Sequence, residues 1–179
     1  MIRAFLGLEL PGPVRSALAV QQFLLPLPRR TDPATMHLTL VFLGEVPEPA
    51  LEAAHEGFAA LKAAPFELSL QGLGLFGGDR LKLAWAGVAP SEPLTRLQAK
   101  VEHIARQAGL APEHRRFAPH VTLGRFPPPG FAEAAALERA IATTPFAAGP
   151  WTVRDMVLWQ SRLGAKGPRY DELARYPLS

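Results

Sequence analysis

Cysteine is absent from this chain of 179 residues. Its absence excludes disulfide bonds, thiolate metal sites and a cysteine nucleophile. A chain without cysteine is compatible with a reducing compartment, and we expect a cytoplasmic protein. Any chemistry that the protein performs must therefore come from other side chains.

Long apolar runs are also missing. No run reaches the roughly 18 residues that a membrane-spanning helix requires. The apolar start of the chain meets Pro11 and Pro13 too early for a signal peptide. We therefore expect no membrane partner. The length fits one domain, or one domain built as two lobes, so we assign residues 1–179 to a single two-lobed domain and expect a monomer.

The chain has no large excess of either charge, because 19 lysine and arginine residues stand against 16 aspartate and glutamate residues. A net charge of +3 argues against a protein that coats duplex nucleic acid, but it permits binding to a nucleic acid end. The cations are unevenly divided, with 15 arginines and 4 lysines. Arginine presents a planar fork of donors that suits phosphate, although an arginine-rich composition also follows genome composition.

One short motif occurs twice. His37-Leu38-Thr39-Leu40 returns as His120-Val121-Thr122-Leu123, 83 residues later (120 − 37). With 5 histidines and 8 threonines in 179 residues, chance predicts about 0.2 His-x-Thr triplets. Residues i and i+2 of a strand share one face, so each copy presents an imidazole and a hydroxyl together. A glycine follows each copy, at Gly44 and Gly124.

Glycine and proline divide the remaining sequence into short segments. Their positions and the apolar periodicity predict strands and helices of ordinary length. The predicted strands cover residues 3–10, 36–43, 66–75, 81–88, 120–126, 146–149, 152–163 and 170–176, with a turn at 77–79. The predicted helices cover residues 13–23, 47–62, 92–108 and 131–142, with Ser91 as an N-cap and Gly109 as a C-terminal cap. Four helices among paired strands, with one motif in each half, indicate an α+β (α/β) fold of two similar lobes that face each other.

Two imidazoles across a cleft, one neutral and one protonated, form a general base and a general acid near neutral pH. Displacement at phosphorus uses such a pair without a metal, and a strained cyclic phosphodiester suits it well. The threonine hydroxyls can donate hydrogen bonds to the non-bridging oxygens. Neither motif lies beside the carboxylate cluster that holds paired Mg²⁺ ions, so we expect no metal and no cofactor.

A structural interpretation of the motif stays open, because a duplicated fold can repeat a polar strand face without using it for catalysis. The other three histidines have no motif around them. His55 and His103 fall in predicted helices and His114 in a charged loop, so we expect all three at the surface. The sequence also lacks the Gly-x-Ser-x-Gly elbow of serine hydrolases and the lysine of a phosphate-binding loop.

The chain resembles the two-histidine (2H) phosphoesterases, in particular the LigT-like RNA 2′,3′-cyclic phosphodiesterases. Both His-x-Thr-x motifs match, and the resemblance extends over nearly the whole chain. The further segments that carry it are Arg3-Ala4-Phe5, Val41-Phe42-Leu43-Gly44, Gly72-Leu73-Gly74-Leu75-Phe76, the Trp85 strand, Phe117-Ala118-Pro119, Leu123-Gly124-Arg125, Ser161-Arg162-Leu163 and Gly167-Pro168-Arg169-Tyr170.

The resemblance implies a bilobal LigT-like fold, in which each lobe has a mainly antiparallel sheet and two helices and the active-site cleft lies between them. It implies hydrolysis of a terminal RNA 2′,3′-cyclic phosphate to a 2′-phosphomonoester. His37 would be the proton donor to O3′ and His120 the proton acceptor from water, although the symmetry of the motifs does not decide these roles. Thr39 and Thr122 would hold the phosphate oxygens. The implied partners are RNA ends, tRNA fragments among them, or cyclic nucleotides.

An arginine and three phenylalanines are further candidates for substrate binding. Arg125 is a candidate phosphate contact, with an ordinary surface arginine as the alternative. Phe42 is a candidate for stacking on a base, as are Phe5 and Phe76, with core packing as the alternative for each.

Two rival functions stay open. The first is 2′-5′ RNA ligation, the reverse reaction, in which a 5′-hydroxyl replaces water at the same residues. The second is a non-catalytic protein that binds RNA ends or nucleotides. Intact His and Thr at all four motif positions argue against the second, because a binder needs no base and acid.

Overall fold

Eight strands and four helices make up the computed structural model, which describes residues 1–78, 80 and 82–179. The strands are β1 Ile2–Glu9, β2 His37–Val46, β3 Phe66–Phe76, β4 Leu83–Val88, β5 His120–Arg125, β6 Ala147–Val153, β7 Asp155–Gly164 and β8 Gly167–Pro177. The helices are α1 Gly12–Leu24, α2 Glu48–Ala60, α3 Glu92–Gln107 and α4 Phe131–Thr143, and a short 3₁₀ turn covers Pro33–Thr35.

The four predicted helices are present with ends within two residues of those expected. Helix α3 shows why, because Ser91 Oγ accepts a hydrogen bond from the Leu94 N–H at 3.3 Å and Gly109 follows the helix with φ +85°. The predicted turn residue Asp79 and strand residue Leu81 lie outside the described residues.

Three strand boundaries were predicted wrongly: β2 continues past Gly44 to Val46, β8 begins at Gly167 and not at Tyr170, and the sixth strand ends later than expected. Thr152 and Val153 were expected to begin the seventh strand, but they end β6 instead. Both residues pair with β3, Val153 with Phe66 and Thr152 with Glu67. This long-range pairing determines the boundary, and the local apolar pattern does not reveal it.

The strands form one antiparallel sheet in the order β6-β3-β4-β5-β2-β1-β7-β8. The two motif strands are neighbours at its centre, with three further strands on each side. In the first half of the chain α1 follows β1 and α2 follows β2. In the second half α3 follows β4 and α4 follows β5. The predicted α+β fold with antiparallel strands and four helices is confirmed, and its two halves join at β2 and β5 into one continuous sheet. The assignment of residues 1–179 to a single domain stays a prediction.

The apolar residues of the motif strands face the helices. Leu38, Leu40, Val121 and Leu123 are all buried in the same core as the inward residues of the four helices. Because strand side chains alternate, the motif histidines and threonines lie on the other face of the sheet. Among the described residues, no helix combines the length and apolar character that crossing a bilayer demands.

The buried motif leucine provides a test of this packing. Leu38 is 0% exposed, so Leu38→Ala is expected to lower the free energy of unfolding by about 2–5 kcal/mol through lost burial and a new cavity. Leu163 is 95% exposed, and Leu163→Ala is expected to change it by less than about 0.5 kcal/mol. Urea unfolding of the two variants measures the difference. Equal losses would contradict the described register of β2.

Candidate active site

The two motifs open into one cavity of about 540 Å³ on the exposed face of the sheet. Leu38 pairs with Val121 across β2 and β5, so antiparallel geometry places the two motifs side by side. All six residues predicted for the site line this cavity: His37, Thr39, Phe42, His120, Thr122 and Arg125. The structure therefore brings the predicted residues together, and their roles stay predictions.

A β-bulge brings Phe42 onto the cavity side of β2. Strict alternation from Thr39 would point Phe42 into the core, because the two residues are an odd number apart. In the pairing with β1, however, Gly7 lies opposite Thr39 and Leu6 opposite Val41, so β2 contains one extra residue. Such a bulge shifts the alternation by one. Phe42 is consequently 59% exposed and lines the cavity.

Strand β5 repeats this bulge and thereby turns Arg125 toward the cavity. Trp85 of β4 lies opposite Thr122 and Ala84 lies opposite Gly124, so the extra residue follows Thr122. Arg125 is exposed at the cavity. Phe42 and Arg125 are both five residues after their histidine, so the two halves present a phenyl ring and a cation at equivalent positions.

Each imidazole is fixed by a main-chain carbonyl two residues before it. His37 Nδ1 lies 2.8 Å from Thr35 O, and His120 Nδ1 lies 2.7 Å from Ala118 O. A carbonyl only accepts, so Nδ1 of each ring carries hydrogen and donates. Nε2 is then the nitrogen of each ring left for chemistry. In the neutral His37 ring, Nε2 accepts from the Thr39 hydroxyl at 3.0 Å.

Burial lowers the pKa of both motif histidines. Desolvation is the main cause for His37, opposed by the bond to Thr35, and the charge of a protonated His120 lowers the pKa further. Desolvation also dominates for His120, where the bond to Ala118 opposes it and the charge of Arg125 adds to the lowering. The pair therefore resists carrying two protons at once, and each ring favours its neutral form before an anion binds.

Aromatic rings hold both imidazoles in place. The Tyr170 ring meets His37 edge-on, with centroids 5.2 Å apart, and the Phe76 ring meets His120 in the same way at 5.0 Å. Phe5 also packs against His37 at 4.7 Å and is 2% exposed, so it belongs to a packed cluster and not to a free base-stacking surface. Phe76 is 38% exposed beside His120 and does not line the cavity.

Several cavity residues were not identified from the sequence. Arg29 and Arg30 lie in a proline-rich loop, Lys166 lies in the β7–β8 turn, and Tyr170 lies on β8. The sequence contains one indication of a role for the loop arginines. They lie a few residues before the first motif, and arginine side chains suit phosphate binding. The positions of Lys166 and Tyr170 depend on the pairing of distant strands.

The remaining histidines lie where they were expected. His55, His103 and His114 are exposed and do not line the cavity. His55 Nδ1 lies 2.8 Å from the Tyr176 hydroxyl. Within the described part of the chain, no group of three or more histidine and carboxylate side chains is arranged to hold a metal ion. The absence of a metal from the reaction stays a prediction.

This is a protein with a paired-histidine site. Two His-x-Thr strands meet at the centre of an antiparallel sheet, and their histidines line one cavity together with several cations. The model of the 2′-5′ RNA ligase superfamily matches residues 13–165. The chain belongs to this superfamily. The resemblance drawn from the two motifs is thereby confirmed.

Individual relatives agree with this membership. The RNA 2′,3′-cyclic phosphodiesterase of Archaeoglobus fulgidus is 34% identical over 148 residues, which cover 81% of this chain and 81% of that protein. The protein of the same name from Geobacillus stearothermophilus is 34% identical over 145 residues, which cover 79% of this chain but 45% of that relative. The crystal structure of E. coli LigT complexed with 3′-AMP superposes with a TM-score of 0.80 at 25% identity, covering 99% of this chain and 98% of that one.

Titration of the histidines tests the electrostatics of the site. We expect His37 and His120 to titrate below the ordinary pKa of 6.5 in the folded protein, because burial disfavours the charged ring. The unfolded chain then binds more protons, so the free energy of unfolding decreases as pH falls through 6.5. Imidazole NMR titration, with the urea-unfolded chain as reference, measures both values. A folded pKa at or above the unfolded one would contradict the described burial.

Proposed function

We propose that this protein is an RNA 2′,3′-cyclic phosphodiesterase, which opens a terminal 2′,3′-cyclic phosphate to a 2′-phosphomonoester without a metal. One observation carries the proposal. Two imidazoles with Nδ1 bound to main-chain carbonyls leave Nε2 for chemistry in one cavity. The names of the relatives from Archaeoglobus fulgidus and Geobacillus stearothermophilus support the same reaction.

In the proposed reaction His120 is the base and His37 is the acid. Neutral His120 Nε2 takes a proton from water, whose oxygen attacks the phosphorus atom. The P–O3′ bond breaks on the opposite side as protonated His37 Nε2 gives its proton to O3′. The products are a 2′-phosphate and a 3′-hydroxyl, and a proton passes from His120 back to His37 through solvent before the next turnover.

The electrostatics of the free site support a single shared proton. The charge of a protonated His120 lowers the pKa of His37 and so disfavours two imidazolium ions, whereas an anionic phosphate in the cavity favours one. The charge of Arg125 acts on His120 and favours the neutral ring that a base requires. The charge of a protonated His120 acts on His37 in the same direction, so the assignment of His120 as base follows the family resemblance and is tested by the identity of the product.

The two motif threonines, together with Arg125 and Phe42, complete the proposed site. Thr39 and Thr122 lie on the same strand faces as the histidines, so their hydroxyls can donate to the non-bridging oxygens. Arg125 would neutralise phosphate charge. Phe42 is exposed at the cavity and would stack on the terminal base, a contact worth about 1–3 kcal/mol in single-stranded RNA recognition.

Removal of either imidazole tests the proposal. We expect His37→Ala and His120→Ala each to lower kcat for an RNA ending in a 2′,3′-cyclic phosphate by about 10²–10⁴-fold, because each removes one proton transfer. Chromatography of the products, with 2′- and 3′-phosphate standards, gives the rate and the bond that is cleaved. Only the 2′-phosphate is expected.

Matched controls separate catalysis from folding in this experiment. His103 is exposed and outside the cavity, so His103→Ala is expected to retain wild-type activity. Wild-type activity is expected to persist in EDTA. More than about a tenth of the activity in either motif variant would refute acid–base catalysis by the pair. A 3′-phosphate product would reverse the two roles.

The pH dependence gives a second test. The base must be neutral and the acid protonated, so kcat/KM rises through one imidazole pKa and falls through the other. Both pKa values lie below 6.5 in the free protein, so the maximum of kcat/KM is expected on the acidic side of pH 6.5. Initial rates at low concentrations of a cyclic mononucleotide measure this profile. A maximum above about pH 7.5 would contradict the assignment of both limbs to buried imidazoles.

A second candidate function is 2′-5′ RNA ligation, which the name of the superfamily favours. In that reaction the oxygen of a 5′-hydroxyl replaces water as the nucleophile at phosphorus, His120 takes its proton, and His37 protonates O3′ as the P–O3′ bond breaks. Adding an RNA with a 5′-hydroxyl to the cyclic substrate distinguishes the two functions by product length. A joined product that forms faster than the hydrolysed one would make ligation the main activity.

A further inference from the structure

Residues 26–31, which we call the strap, lie between helix α1 and the 3₁₀ turn and contribute two arginines to the cavity. Arg29 and Arg30 are exposed and line the cavity. Neither forms an ion pair with a carboxylate in the described part of the chain. Their charges are thus directed at the cavity and not at a protein partner, while the reaction proposed above uses neither of them.

A buried glutamine fixes the strap to the second motif strand. Gln22 of α1 is 3% exposed, and its Nε2 donates to Thr31 O at 2.6 Å and to Leu123 O at 2.8 Å. The Thr31 N–H also donates to Leu123 O, at 2.9 Å. Both hydrogens of the buried Gln22 amide therefore hold the end of the strap beside β5. Loss of either acceptor would leave a buried donor unsatisfied, which destabilises the fold.

A glycine provides the space for the strap. A Cβ on Gly124 would collide with the carbonyl oxygen of Arg29, so any larger residue at this position would displace the strap. Leu27 packs against the core from the strap side. The strap backbone is consequently held by packing and hydrogen bonds, while its two arginine side chains stay exposed. This is a built cationic site, next to Arg125.

The cationic site lies at one end of the cavity and Phe42 at the other. β2 and β5 are antiparallel and meet at Leu38 and Val121, so residues that follow each motif extend in opposite directions. Phe42 therefore extends away from the end where Gly124 contacts the strap. The histidines and threonines lie between the aromatic end and the cationic end.

The geometry of a ribose matches this order. The base leaves the ring at C1′, next to C2′, and the 5′ chain leaves at C4′, next to C3′. A cyclic phosphate on O2′ and O3′ therefore lies between the base and the 5′ side of the nucleotide. With the base on Phe42 and the cyclic phosphate between the histidines, the 5′ side points to the strap.

We infer that Arg29 and Arg30 bind the phosphodiester that joins the terminal nucleotide to the one before it. This inference rests on the proposed function and names its substrate class: RNA chains in preference to cyclic mononucleotides. Among the lining residues that the structure describes, Asp32 is the one carboxylate, against Arg29, Arg30, Arg125 and Lys166. Its Oδ1 accepts from Ala34 N at 3.0 Å, which engages it in the 3₁₀ turn.

A pair of dinucleotides tests the inference without requiring turnover. Both are adenylyl-adenosine with a terminal 2′-phosphate, one with a natural phosphodiester and one with a neutral methylphosphonate linkage. We expect the wild-type protein to bind the phosphodiester about fivefold more tightly, the gain expected from two exposed ion pairs. The Arg29→Ala/Arg30→Ala variant is expected to bind both ligands equally. Arg139→Ala, an exposed arginine outside the cavity, is the matched control and is expected to retain the difference.

Fluorescence anisotropy competition at fixed ionic strength gives these affinities. Equal binding of the two dinucleotides by the wild type, or an unchanged difference in the double variant, would overturn the inference. The double variant is also expected to open a cyclic mononucleotide at close to the wild-type rate. A loss of mononucleotide activity as large as the loss of dinucleotide affinity would show that the strap acts on the reacting phosphate. That result would also overturn the inference.

The two proposals fail in different measurements. If the wild-type protein does not open any cyclic phosphate, the proposed function is wrong, and the dinucleotide comparison still decides whether the strap binds a phosphodiester. The salt dependence of binding adds a further readout. The slope of log affinity against log salt is negative, and loss of one phosphate contact makes it less steep by about 0.7 for single strands. A slope unchanged in the double variant would contradict the strap contact.

Discussion

The pairing of Leu38 with Val121 is the contact on which the cavity depends, because β2 and β5 join the two halves of the sheet there. Both side chains are fully buried under the helices. A slip of one residue in either strand would turn an imidazole into the core and an apolar side chain toward solvent. Apolar packing on one face of the sheet thus maintains the placement of the two imidazoles on the other. The histidines need no direct bond to each other.

The centre of the site was predictable from the sequence because it depends on local patterns. Alternation around His37 and His120 places imidazole and hydroxyl on one strand face, and the structure has both pairs at one cavity. Helix ends followed from residues such as Ser91 and Gly109, whose capping chemistry acts within a few positions. The fold class followed from the repetition of these local signals in two halves.

The edges of the site were not predictable in the same way, because they depend on pairing between distant segments. The bulges that turn Phe42 and Arg125 to the cavity appear only in the registers with β1 and β4. The glycines after the motifs also serve different purposes that the sequence does not distinguish. Gly44 adopts φ +76° with open space around it, whereas Gly124 makes room for the Arg29 carbonyl. Contacts of this kind follow from the folded chain alone.

A symmetric scaffold creates a problem of direction that the proposed reaction must solve. Two equivalent His-x-Thr strands would accept a cyclic phosphate in either of two orientations, and each orientation would release a different oxygen. Only differences between the halves can select one. The aromatic ring of Phe42 and the cation of Arg125 occupy equivalent positions, and the strap extends the cationic end. On this account the motifs supply the acid and the base, while residues outside the motifs decide that O3′ leaves and O2′ keeps the phosphate.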